Sequence, residues 1–234
     1  MFKFCQNNVL KRISKIYFMN VLIKTFIIWF AVFSFSLAEE IKVFEFTNEE
    51  LAKLDVRKVR GADNKTIYTV GSNDNGNFLK AIADNAASGL GKEVKIDLNK
   101  TPFINITWKI EKDLVGIKEN TKKGHDFAAR VFAVKKMGAT PLSNRAINYV
   151  FSSNNKIGFN SPSPYTKKSI DSVLATTINN LNEWVTVKSN VKEDFKIFHD
   201  LDINELDGIA IMSDTDNSKM KAVAYFQNIY FSSE

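Results

Sequence analysis

One cysteine, two histidines and four prolines in 234 residues close off several chemistries before any motif is sought. Cys5 lies within the first 38 residues, which read as a removable leader, so a processed chain has neither a disulfide framework nor a thiol nucleophile. His125 and His199 are too few for a three-histidine metal centre, and HExxH, GxSxG and CxxC do not occur. The stretch "SGLGKE" at 88–93 imitates a phosphate loop, but the first glycine of that motif falls on Ala86 and its closing Ser/Thr on Glu93. It reads as a turn between strands. No Pro-rich linker, internal repeat or low-complexity tract divides the chain.

A nucleic-acid surface is also lacking. The formal charge is +6, but Lys3, Lys11, Arg12, Lys15 and Lys24 stand in the first 38 residues without one acid, and the rest holds 27 basic against 26 acidic side chains. The basicity belongs to the leader. That leader has a basic stretch ending at Lys24, an uncharged run "TFIIWFAVFSFSL", and small residues at Ser36 and Ala38 before Glu39. It is expected to be a signal peptide over 1–38, cleaved after Ala38, with Met19 an alternative true start. An uncleaved anchor over 16–38 is the other reading. With cleavage, the protein is periplasmic and meets the membrane only during export.

What remains, roughly 196 residues over 39–234, is enough for one domain with a core of its own. Its pattern has mostly a period of two. In "FINITWKI", Ile104, Ile106, Trp108 and Ile110 share one face while Asn105, Thr107 and Lys109 share the other, as in a half-buried strand. Similar runs cover 41–46, 78–83, 93–98, 127–134, 146–151, 184–187, 208–212 and 222–231. Turn chemistry separates them in "GSNDNGN", "SSNNKIG" and "SPSP". Asn190 with Glu193 predicts a capped helix over "VKEDFKIFHDL", and Thr47 with Glu50 a second one before "LAKL". Many strands and few helices predict an all-β antiparallel sandwich or jelly roll with one or two short helices.

Arg130 carries the most information of any single residue. In "DFAARVFAVKK" it alternates with apolar residues on a strand apolar on both faces, so the strand is central and the guanidinium needs a partner or a pocket. Asp126, four residues back, and Asp214, in phase with a face that excludes Ile209 and Ile211, are both candidate partners. A structural ion pair is the competing role. In "GIAIMSDTDNSK" the acids leave a strand in a turn that is not an EF-hand, because Lys219 stands for the required glycine and Tyr225 for the bidentate glutamate. Asp214, Asp216 and Asn217 are candidates for a pocket rim or for one calcium ion with backbone carbonyls; otherwise they only turn the chain. Tyr149, Tyr165 and Trp184 are candidate stacking surfaces for a sugar ring, with core packing as the alternative for each.

Four segments, "NAASGLGKEV", "DFAARVFAVKK", "VKEDFKIFHDL" and "GIAIMSDTDNSK" with the later "AYFQNIYF", resemble in order and separation the exported bacterial proteins grouped as domain of unknown function 3047. "RAINYVFSS" and "SPYT" are similar too, and the resemblance spans about 41 to the C-terminus. It departs at Phe151, where related chains commonly have Trp, and at Ser213, where Thr is usual. The resemblance implies no activity. "AYFQNIYF" also resembles the last strand of galactose-binding-like jelly rolls. Three functions follow as expectations: a non-catalytic module binding a glycan or other polar ligand, a polysaccharide hydrolase or lyase using paired carboxylates, and a structural or protein-interaction subunit of the envelope.

Overall fold

The motif "GSNDNGN" closes a hairpin between β3 (Ile67–Asn73) and β4 (Gly76–Asp84), where Gly76 takes the positive φ that such a turn demands. The computed structural model describes residues 39–234. Cys5, Met19 and the expected leader lie outside the described residues.

The described residues form two sheets. The first has the order β11-β6-β13-β4-β3, joining Val185–Asn190, Phe103–Lys112, Lys221–Ser232 and the hairpin, with β1 (Glu40–Lys42) paired to β13. The second runs β2-β5-β12-β7-β8-β10-β9, that is Val56–Lys58, Ala87–Asp97, Glu205–Asp214, Ala129–Lys135, Arg145–Ser152, Thr166–Thr176 and Asn160–Ser163. Ile104, Ile106, Trp108 and Ile110 from one sheet meet Val131, Ile147, Phe151 and Ile211 from the other in a single buried cluster. The fold is therefore a β-sandwich, as the alternation predicts. It is not wholly antiparallel, because β10 pairs β8 in parallel after the 153–165 excursion.

Helices are few, as expected, and three short α-helices stand among the described residues: α1 (Asn48–Lys53), α2 (Thr177–Asn180) and α3 (Val191–His199). Thr47 Oγ1 accepts from Glu50 N at 3.1 Å, and Glu50 Oε2 accepts from Phe46 N at 2.9 Å, so the threonine–glutamate signal does cap a helix. Asn190 Oδ1 accepts from Glu193 N at 3.2 Å and α3 buries Val191 and Phe195. "SGLGKE" is not a turn: it lies inside β5. Gly89 faces β12 there, and a Cβ on it would stand 3.2 Å from the Ile211 carbonyl oxygen, so the glycine serves strand contact.

Candidate functional site

β7 sits between β12 and β8, and its alternation divides Ala129, Val131 and Ala133, which enter the core, from Arg130 and Phe132, which reach the outer face of the seven-stranded sheet. Arg130 is opposite Met212 in β12, and Asp214 lies two residues further along the same face. The Arg130 Nη2 donates to Asp214 Oδ2, and Asp214 Oδ1 accepts from Phe127 N at 3.2 Å. Arg130 is 4% exposed and Asp214 1%, so this is a buried pair. The guanidinium carbon lies 5.3 Å from the Phe127 ring centre and 5.4 Å from that of Phe132. Its Nε is buried with no partner among the described residues.

Asp126 is not that partner. β7 begins at Ala129, and the phase breaks just before it: Phe127 packs with Val150 and Val173 on the outer face while Ala128 enters the core. Counting back from Arg130 by twos therefore misplaces Asp126. Its buried carboxylate instead accepts from Asn217 N at 3.2 Å, Asn217 Nδ2 at 2.9 Å and Ser218 N, which fastens the acidic turn. The turn brings one carboxylate oxygen each of Asp126, Asp214 and Asp216 within 4.8 Å of one another.

Two of these acids are shifted by their setting. Burial pushes Asp214 up to about 8 against the pull of Arg130, with Asp126 and Asp216 adding repulsion. Burial and Asp126 raise Asp216 as well. The calcium expectation rests on Asp214, Asp216 and Asn217, whereas the close set contains Asp126 and turns the Asn217 amide oxygen toward Tyr165, whose hydroxyl donates to it at 2.6 Å. Three carboxylates supply about half of the six to eight oxygens a calcium ion takes, and Arg130 already places a cation beside them.

Arg130, Asp214, Asp216, Asn217 and Tyr165 line one cavity of about 330 Å³. Tyr165 stands at its edge, 56% exposed. The sequence-predicted set is only partly assembled. Tyr149 is buried in the core, where its hydroxyl donates to Asp194 Oδ2 at 2.7 Å, because β8 turns Ile147, Tyr149 and Phe151 inward. Trp184 belongs to the other sheet's outer face, with its ring centre 6.1 Å from Phe78 and 6.0 Å from Tyr225. Neither faces the cavity.

The cavity also takes residues that sequence reading passed over. His125 and Asn148 line it, and both bond Asp171: His125 Nε2 lies 2.7 Å from Oδ2, and Asn148 Nδ2 donates to Oδ1 at 2.7 Å. Ser169 Oγ donates to Asn148 Oδ1 at 3.1 Å. An Asn between apolar neighbours in "RAINYVF" was the available signal. The parallel register that sets Asp171 beside Asn148 leaves no local trace.

A model of the family described as Protein of unknown function (DUF3047) matches residues 52–230, and the chain belongs to that family. No curated protein matches it. Similar solved structures include the family 11 carbohydrate-binding module of cellulosomal cellulase Lic26A-Cel5E of Clostridium thermocellum, at 15% identity and TM-score 0.44, over 84% of this chain and 95% of that one. The family 30 carbohydrate-binding module of cellulase Cel9D-Cel44B of the same organism has 10% identity and TM-score 0.48, over 84% and 98%. The xyloglucanase domain of NopAA from Sinorhizobium fredii, in complex with cellobiose, has 11% identity and TM-score 0.41, over 76% and 92%. Likenesses of this size carry nothing about what this chain binds.

Proposed function

We propose that the chain is an exported, periplasmic protein that receives a segment of a glycan in the cavity on the outer face of the seven-stranded sheet. The observation that carries this reading is a buried Arg130–Asp214 pair at the wall of a cavity of about 330 Å³ that also bears hydroxyls and an aromatic ring. Ligand cavities run from roughly 300 to 1,000 Å³, so this one suits a small polar segment and not a large apolar molecule. Sugar hydroxyls both donate and accept, and their C–H faces rest on rings. The cavity supplies hydroxyls from Ser163, Thr166 and Ser169, a half-buried carboxyl from Asp216, and the rings of Phe132 and Tyr165. The leader supports export, and the reading requires no metal.

Calorimetric titration of the processed chain with neutral and acidic envelope and plant-type oligosaccharides tests it. At least one should bind, with affinity unchanged by calcium or chelator. Tyr165→Ala and Asp216→Asn should each weaken that affinity about tenfold, the loss of one or two hydrogen-bonded or stacked contacts, with melting unchanged. Absence of binding across the set, or wild-type affinity in both variants, overturns the reading.

A further inference from the structure

Hydrogen bonding divides the acids and bases that line the cavity, or that bond its lining residues, into those already committed and those still open. Asp126 is held by Asn217 and Ser218, Asp214 by Phe127 and Arg130, and Asp171 by His125 and Asn148. Two-carboxylate hydrolysis needs one carboxyl free to protonate the leaving oxygen and another free to attack or to activate water. Of these four acids, only Asp216 makes no hydrogen bond to another side chain among the described residues. The arrangement does not offer a free pair.

It offers an oriented imidazole. The 2.7 Å contact with Asp171 Oδ2 fixes the orientation of the His125 ring, and with Nε2 as the donor in that contact Nδ1 is the nitrogen left for a substrate. Nδ1 makes no hydrogen bond among the described residues, and the residue lines the cavity. Asn148 in turn holds Asp171, so base, orienting carboxylate and its support form one chain. The same cavity is lined by two guanidiniums, Arg130 and Arg60, the latter with no acidic partner within ion-pair distance among the described residues. The Tyr165 ring centre is 5.6 Å from that of His125. A base beside guanidiniums suits a substrate whose C–H becomes acidic only when a neighbouring carboxylate is held and neutralised.

We propose that the cavity takes a glycan containing uronic acid residues and that His125 cleaves it by β-elimination. This rests on the glycan reading of the same site. Arg130 and Arg60, both lining the cavity, hold the uronate carboxylate. His125 Nδ1 removes the proton from the carbon next to that carboxylate. The C–H electron pair becomes a carbon–carbon double bond to the neighbouring ring carbon, and the bond from that carbon to the glycosidic oxygen breaks. The oxygen leaves with its electron pair and takes a proton from the Tyr165 hydroxyl, which gives up its bond to Asn217 Oδ1 to deliver it. Solvent exchange returns Tyr165 and His125 to their starting states. No water is added, and no oxidant, reductant or metal is consumed. His125 and Tyr165 are the catalytic residues and Asp171 a positioning residue.

The test incubates the processed chain with sodium alginate, polygalacturonate and hyaluronan, and with a neutral β-glucan as control. Binding is read by affinity electrophoresis and cleavage by the ultraviolet absorbance of the unsaturated uronate. Absorbance should rise with at least one acidic polymer. His125→Ala and His125→Gln should each lower kcat at least about 100-fold, the usual share of a positioned acid–base group, while the polymer still binds. Asp171→Asn should lower kcat with KM unchanged. Circular dichroism melting establishes that each variant is folded, and the wild-type result stands independently of them. An acidic polymer that binds without unsaturated product overturns elimination, as does binding confined to the neutral glucan; both outcomes leave the glycan reading standing. Folded His125 variants with full kcat overturn the assignment of the base. If nothing binds, both readings fall together.

Discussion

Arg130 and Asp214 depend on each other because neither has water to fall back on. Truncating one member of a buried pair strands the other and typically costs about 3–5 kcal/mol, so Arg130→Ala should lower the melting temperature steeply. Asp214 adds a pH dependence of definite sign. Its folded value stands at about 8 against the ordinary 3.8, so between those limits the native state keeps a proton that the unfolded chain has lost. The stability this contributes is complete below about pH 4 and declines as pH rises through 8. Melting should therefore fall between pH 5 and pH 8.5, and Asp214→Asn should flatten that fall; a wild-type slope unchanged in the variant contradicts the assignment. The pair itself was legible, since a charged residue in a strand apolar on both faces demands a partner and Asp214 has the right parity. His125, Asp171 and Asn148 were not. Asn148 meets Asp171 because strands β8 and β10 lie side by side in parallel, a relation between positions 23 apart, and His125 reaches the same carboxylate from the segment before β7, and no local spacing encodes either.

Elements were readable where a side chain answers its own backbone. Both caps bond as their residue types require, and α3 turns Val191 and Phe195 inward at helical spacing. Asn190→Ala should cost about 1 kcal/mol, seen as a small drop in melting temperature with glycan affinity intact, because neither Asn190 nor any residue of α3 lines the cavity. Elements were misread where the reason for a residue lies on a neighbouring strand. Gly89 looks like turn chemistry, yet it is there because β12 passes close. β10, "TKKSIDSVLAT", opens with lysines and is buried on both faces further along, so no alternation marks it. Phase counting failed at Phe127 for a related reason: parity holds only inside a strand, and β7 starts two residues later.

At the scale of the molecule, the sandwich was legible because period-two patterning survives whatever the order of strands, while the order itself was not. In the six-stranded sheet, β13 pairs with β4, β6 and β1, so the last strand of the chain is the one that holds the others together. A chain stopped after Met220 should lack cooperative melting altogether, whereas a merely peripheral strand would leave a transition at lower temperature. Glu40 lies opposite Ser232, and Glu39 and Ser233 bond each other through their backbones at 3.1 Å. During synthesis this half of the molecule has its border strands long before its keystone. Until Lys221–Ser232 has been made, β4, β6 and β1 have no strand between them, so the six-stranded sheet cannot close, whatever hairpins have already formed, and a helper that keeps that edge open can act until then.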